Sequence, residues 1–134
     1  GDDCEIGANT CIDRGAIEDT VLAEDVRLDN LIQVGHNVRI GAHTAVAGCT
    51  AIAGSARIGR YCLIGGAAGV LGHLEICDRV VVTAMSLVTS SITEPGEYSS
   101  GTPLTDNRTW RKNAARFKQL DALARRVLAA DKET

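Results

Sequence analysis

Counting every sixth residue from position 22 gives Leu22, Leu28, Val34, Ile40, Val46, Ile52, Ile58, Ile64, Val70, Ile76, Val82 and Val88, an unbroken aliphatic series. Two places before these stand small or β-branched residues such as Val38, Thr44, Thr50, Ala56, Cys62 and Ala68. Just after them stand Gly35, Gly41, Ala47, Ala53, Gly59 and Gly65. A helix repeats at 3.6 residues and a strand at 2, so neither produces a period of six. Short extended segments, each closed by a turn, do produce it. Three of them make a triangular coil of about 18 residues, and coils stack at roughly the 4.8 Å strand spacing. The pattern predicts a mainly β fold, a parallel β-helix of hexapeptide repeats over residues 1–92, with the Gly and Ala positions turning its corners. Ile6 and Ile12 keep the spacing but fall out of the main register, which predicts an insertion loop near 13–21.

The period fades after Val88. The stretch SSITEPGEYSSGTPLTDN is rich in Ser, Thr, Pro and Gly and predicts a loop over 93–106. A helical extension is predicted over 107–134, capped by Thr105, Asp106 or Asn107. Trp110, Ala114, Phe117, Leu120, Ala124, Val127 and Leu128 recur there at helical spacing and should pack on the solenoid or on sister helices.

Composition sharpens this picture. Of 134 residues 45% are apolar, yet the aromatic residues are only Tyr61, Tyr98, Trp110 and Phe117, which suits thin repeated layers. The five cysteines (Cys4, Cys11, Cys49, Cys62, Cys77) show no CxxC spacing and read as buried fillers in a reducing compartment. No run approaches the ~18 apolar residues of a membrane span. Residues 1–106 carry six basic against fourteen acidic side chains, and residues 107–134 eight basic against three acidic, so a basic tail on an acidic body points to an acidic partner.

The segment NLIQVGHNVRIG places an ionisable ring inside the stripe. His36 lies two residues after the inward Val34, and so on or near the outer wall. Asp29 and Asn30 precede it by about one repeat, and a carboxylate beside an imidazole fixes its tautomer and raises its basicity. His73 lies two coils plus one residue further on, and Gly54 one coil on, with uncovered backbone N–H groups expected there. A base, an orienting carboxylate, a second imidazole and a bare N–H on one wall suit acyl transfer. His43 has no such company and reads as a surface residue. Walker, GxSxG and dinucleotide motifs are absent.

The blocks DNLIQVGHNVRIGAHTAVAG, IGRYCLIGGAAGVLGHLEICD and EPGEYSSGTPLTDNRTWRK resemble the UDP-3-O-(3-hydroxyacyl)glucosamine N-acyltransferases of lipid A biosynthesis, over essentially the whole chain. The resemblance implies a left-handed β-helix, a cytoplasmic homotrimer and active sites in clefts between neighbouring β-helices. It implies transfer of an (R)-3-hydroxyacyl group from acyl carrier protein to the 2-amine of UDP-3-O-acylglucosamine. No resident cofactor is implied, since phosphopantetheine arrives on the carrier, and no metal or nucleic acid takes part. His36 matches the family's base, Asp29 the residue that orients it, Gly54 the oxyanion donor and His73 a second important histidine. Asn30, Asn37 and Leu87 are candidates for substrate contact, Leu87 as a liner of the acyl groove. Arg111, Lys112 and Arg116 would meet the acidic carrier protein. Family members carry an N-terminal uridine-binding domain and further coils, so the chain reads as a piece of a longer protein in which nucleotide binding is weakened.

Three other readings stand beside this one. A sister O-acyltransferase acts on UDP-N-acetylglucosamine, and a trimeric scaffold would need no acyl donor. A zinc site of the gamma-type carbonic anhydrase kind would use three histidines, but that family places two of them five apart. Here the gaps are seven and thirty.

Overall fold

The computed structural model describes all 134 residues and divides into two compact units, Gly1–Gly101 and Thr102–Thr134. The first unit is a three-walled parallel solenoid of fifteen short strands. Wall A stacks Glu5–Ile6, Arg27–Leu28, Ala45–Val46, Leu63–Ile64, Val80–Val82 and Gly96–Tyr98. Wall B stacks Cys11–Ile12, Gln33–Val34, Ala51–Ile52, Gly69–Val70 and Leu87–Val88. Wall C stacks Val21–Leu22, Arg39–Ile40, Arg57–Ile58 and Glu75–Ile76. Partners such as Gln33 and Ala51, or Arg39 and Arg57, are one 18-residue coil apart. Ile6 instead pairs with Leu28, and Ile12 with Val34, so four extra residues enter the first coil between walls B and C.

The second residue of each two-residue strand points inward. Val34, Ile40, Val46, Ile52, Ile58, Ile64, Val70 and Ile76 are buried, and so are the residues two places before most of them, among them Val38, Ala56, Cys62 and Ala68. Two interlocked columns per wall therefore fill the interior. The polar members are satisfied: Thr44 Oγ1 donates to the Gly59 carbonyl at 2.7 Å, and Thr50 Oγ1 to the carbonyls of Ala47 (2.9 Å) and Gly65 (3.0 Å). The cysteines are all unpaired, but only Cys62 is buried, with Cys4 and Cys77 part-buried and Cys11 and Cys49 exposed. The filler reading fails for those two because Cys11 occupies an outward strand position and Cys49 a corner. Burial pushes the Cys62 thiol pKa up.

The corners depart from expectation. The residue that reverses the chain lies three after each inward aliphatic, and thirteen non-glycine residues, Asp3 to Met85, hold positive φ there. Left-handed backbone is costly for a side-chain-bearing residue, and the preceding coil pins it. The Ser55 N–H donates to the His36 carbonyl (2.8 Å), and those of Tyr61 and His73 to the carbonyls of Ala42 (3.0 Å) and Gly54 (3.2 Å). Glycine directly after the inward residue serves a different need, close approach. A Cβ at Gly35, Gly41 or Gly65 would stand 2.7, 2.5 or 2.4 Å from backbone of the next coil.

Each corner has its own chemistry. The turn residues between walls A and B are Leu31, Cys49, Ala67 and Met85; between B and C they are Asn37, Ser55 and His73; between C and A they are Asp25, His43, Tyr61 and Arg79. Past Val88 the segment 93–106 is not wholly irregular, because Gly96–Tyr98 adds a parallel strand to wall A. In the second unit the helical stretch breaks at Lys118–Gln119 into α1 (Asn107–Phe117) and α2 (Leu120–Lys132). Asp106 caps α1, accepting the Thr109 N–H at 3.0 Å, and that bond holds its carboxyl below the usual range. Neither helix has a buried residue, and neither is long and apolar enough to cross a membrane.

Candidate active site

The insertion in the first coil and the corner between walls B and C enclose one groove of about 510 Å³, lined among others by Ile17, His36, Asn37, Ser55, Arg57 and His73. The two histidines are brought together as the sequence suggested, and Gly54 lies between their levels. The His36 ring lies against Gly54 closely enough that a Cβ there would stand 2.6 Å from both Nε2 and Cε1. The Gly54 N–H donates to no group of the chain. Gly54 is the second residue after an inward aliphatic, a corner position whose N–H no backbone carbonyl takes. The Arg60 N–H, in the equivalent place, is taken by Asp78 Oδ1 at 2.7 Å, whereas that of Gly54 is open.

Asp29 does not orient His36 within one chain. A carboxylate seven residues before the histidine falls one wall earlier, on the corner between walls A and B. There Asp29 Oδ1 accepts the Asn30 N–H at 2.8 Å, and Oδ2 lies beside Gly48 of the next coil. The partner of the imidazole is the adjacent Asn37, whose Oδ1 is 3.0 Å from Nδ1. The amide orientation follows from its other bonds: Nδ2 donates to the Glu18 carbonyl at 2.6 Å, and Oδ1 accepts the Ala16 N–H at 3.2 Å. An oxygen acceptor facing Nδ1 requires the proton on Nδ1, which leaves the Nε2 lone pair free. Nε2 is thus the basic atom, and it is the one that faces Gly54.

The remaining expected residues are scattered. Asn37, expected to contact substrate, has its amide bonded to His36 and to the insertion, whose Thr20 Oγ1 also accepts the Asn37 N–H at 2.9 Å. Asn30 Oδ1 holds the Ala8 N–H at 2.7 Å, a bond between coils. Leu87 is exposed on wall B, leaning over Gly69, where a Cβ would meet its Cδ1 at 3.0 Å. Arg111, Lys112 and Arg116 are exposed on α1.

His43 is the histidine with a carboxylate. Its Nδ1 lies 2.8 Å from Asp25 Oδ2, its ring stacks on Tyr61 at 4.8 Å, and the Arg79 guanidinium covers the other face of that column, 4.7 Å from the Tyr61 centroid. The hydrogen bond to His43, and then that to Arg27, lowers the Asp25 pKa. Asp25 and His43 are one coil apart in sequence, a spacing that stacks them, so the 18-residue separation is the signal that pairs them. No three His, Cys, Asp or Glu side chains converge as a metal-binding group, and His43 sits on a different corner from His36 and His73.

No family model matches the chain. The UDP-3-O-acylglucosamine N-acyltransferase of Xanthomonas campestris pv. campestris (strain 8004) is 80% identical over 99% of this chain and 40% of that protein. This chain is homologous to the UDP-3-O-acylglucosamine N-acyltransferases. The namesake from Xylella fastidiosa (strain M12) is 74% identical over 99% of the chain and 39% of its own length. The chain thus spans about two fifths of the curated relatives it matches. Among solved structures, PerB from Caulobacter crescentus in complex with CoA and GDP-perosamine superposes with a TM-score of 0.49 at 20% identity, over 74% of this chain and 52% of that one.

Proposed function

We propose that the groove at His36 is the acyl-transfer centre of an N-acyltransferase that moves an (R)-3-hydroxyacyl group from acyl carrier protein to the 2-amine of UDP-3-O-(3-hydroxyacyl)glucosamine. The observation that carries this reading is the His36–Asn37 pair, whose Oδ1···Nδ1 contact selects the neutral tautomer with its free lone pair on Nε2, beside an open backbone N–H. The neutral amine attacks the thioester carbonyl while Nε2 takes its proton, and a C–N bond forms. The Gly54 N–H faces the oxyanion of the tetrahedral intermediate. The C–S bond then breaks and the imidazolium returns its proton to the departing thiolate. General-base assistance of this kind contributes about 10²–10⁴-fold. His73, at the same groove, suits contact with substrate or thioester.

Asp29 enters this reading through a second copy. Asp29 and His36 occupy neighbouring corners of one coil, at one level along the solenoid axis. A threefold axis parallel to the solenoid preserves levels, and this reading takes Asp29 of one copy to meet His36 of the next across it. The homotrimer is supported by a groove of about 960 Å³ on wall A, where the outward positions Ala45, Leu63 and Val81 are apolar. Arg111, Lys112 and Arg116 on α1 suit an acidic carrier protein, with Leu87 lining the acyl groove. The setting is the cytoplasm, which suits five unpaired thiols. Incubating the full-length protein with (R)-3-hydroxyacyl carrier protein and UDP-3-O-acylglucosamine, with mass spectrometry of the product, tests the reading. An amide supports it. An ester on UDP-N-acetylglucosamine would return the sister O-acyltransferase, and no product the scaffold.

A further inference from the structure

The insertion in the first coil presents Ile17 to the His36 groove with 98% of its surface exposed. Its loop is not slack. Thr20 Oγ1 donates to the Asp13 carbonyl at 2.7 Å, the Asn37 amide grips Ala16 and Glu18, and Glu18 approaches Arg39 and Arg57 at 3.4 and 3.9 Å. A Cβ at Gly15 would overlap the Glu18 carbonyl, so the turn at the tip is closed on itself. A single exposed apolar residue is ordinary in itself, but this one lines the groove that holds His36 on a loop that is held in place. The same Asn37 amide fixes both the loop and the His36 ring, so Ile17 stands in a set position relative to Nε2.

Resting on the acyl-transfer reading above, we infer that Ile17 is a specificity-determining residue that packs against the 3-O-acyl chain of the acceptor. The thioester carbonyl belongs on the Gly54 side of His36, one coil further along. The acceptor's amine must meet that carbonyl at Nε2, and the rest of the acceptor extends along the groove that also holds the insertion's Ile17. The vicinal 3-O-acyl chain then begins within a few ångströms of the nucleophile and runs past Ile17. The insertion is thereby part of the acceptor site, and Asn37 sets base and apolar wall together.

The test compares acceptors with a long 3-O-acyl chain and with a 3-O-acetyl group, at fixed donor, in wild type, Ile17→Ser and Ile17→Leu full-length protein. Ile17→Ser should lose roughly tenfold or more in kcat/KM on the long-chain acceptor, change less than about threefold on the short one, and Ile17→Leu should restore the preference. Equal losses on both acceptors, or no loss on either, overturn the assignment. So does a changed oligomeric state of Ile17→Ser by mass photometry, which would make Ile17 a subunit contact. Absence of transfer by wild type on either acceptor refutes the acyl-transfer reading itself and the assignment with it.

Discussion

Replacing Gly54 by alanine should separate activity from stability. Gly54 is not among the residues with positive φ, so alanine fits its backbone without strain. A Cβ there would stand 2.6 Å from His36 Nε2 and Cε1, whereas ordinary contact begins at 3.4 Å. The exposed imidazole can yield, and it must retreat by about 0.8 Å; a misplacement near 1 Å in a reacting group is worth up to about 10²-fold. The chain entropy of the unfolded state falls by the usual Gly→Ala amount, about 0.4–1 kcal/mol in favour of folding. Gly54→Ala should therefore lose on the order of 10²-fold in kcat with KM little changed, while its urea midpoint stays level or rises. Steady-state acyl transfer and urea unfolding on one preparation check both halves. Retained kcat would refute the claim that the base works against Gly54. A fall in stability of several kcal/mol would show that the ring cannot move aside and that the contact is structural.

Asp25, whose pKa is lowered by its hydrogen bonds to His43 and then Arg27, adds stability above its unfolded pKa that is lost as pH falls through the lower folded value. Asp25→Asn should flatten the acid limb of unfolding below about pH 4, seen in urea midpoints against pH, and an unchanged limb would deny the linkage. Ile52→Ala, emptying a wholly buried position in the middle coils, should cost about 2–5 kcal/mol by urea unfolding. Mixing Asp29→Asn with His36→Ala subunits after denaturation and refolding should rebuild about a quarter of the wild-type sites if Asp29 acts across a trimer interface. Recovery of none would refute a partnership of Asp29 and His36 across the interface.

The solenoid was legible because its cause is local: every inward position obeys one spacing, and the out-of-register Ile6 and Ile12 announced the insertion. The corner mechanism was not, since left-handed φ at Leu31 or Tyr61 is imposed by carbonyls of the neighbouring coil and leaves no mark on residue type. His36, Gly54 and His73 could be placed together because their separations are close to whole coils. Asp29 could not, because seven residues is one wall and not one coil. The partner that does hold His36 is its next neighbour, Asn37, and its amide is aimed by an insertion whose path no periodicity describes. Gly96–Tyr98 was missed for the opposite reason: a strand in a Pro- and Ser-rich stretch is recruited by the open edge of wall A rather than by its own propensity.

The central claim is that His36 Nε2 is the general base. Acyl transfer by His36→Ala full-length protein, with circular dichroism and oligomeric state matched to wild type, tests it most directly. The account predicts amide product at least about a hundredfold slower than wild type. Wild-type rates in a folded variant would contradict it.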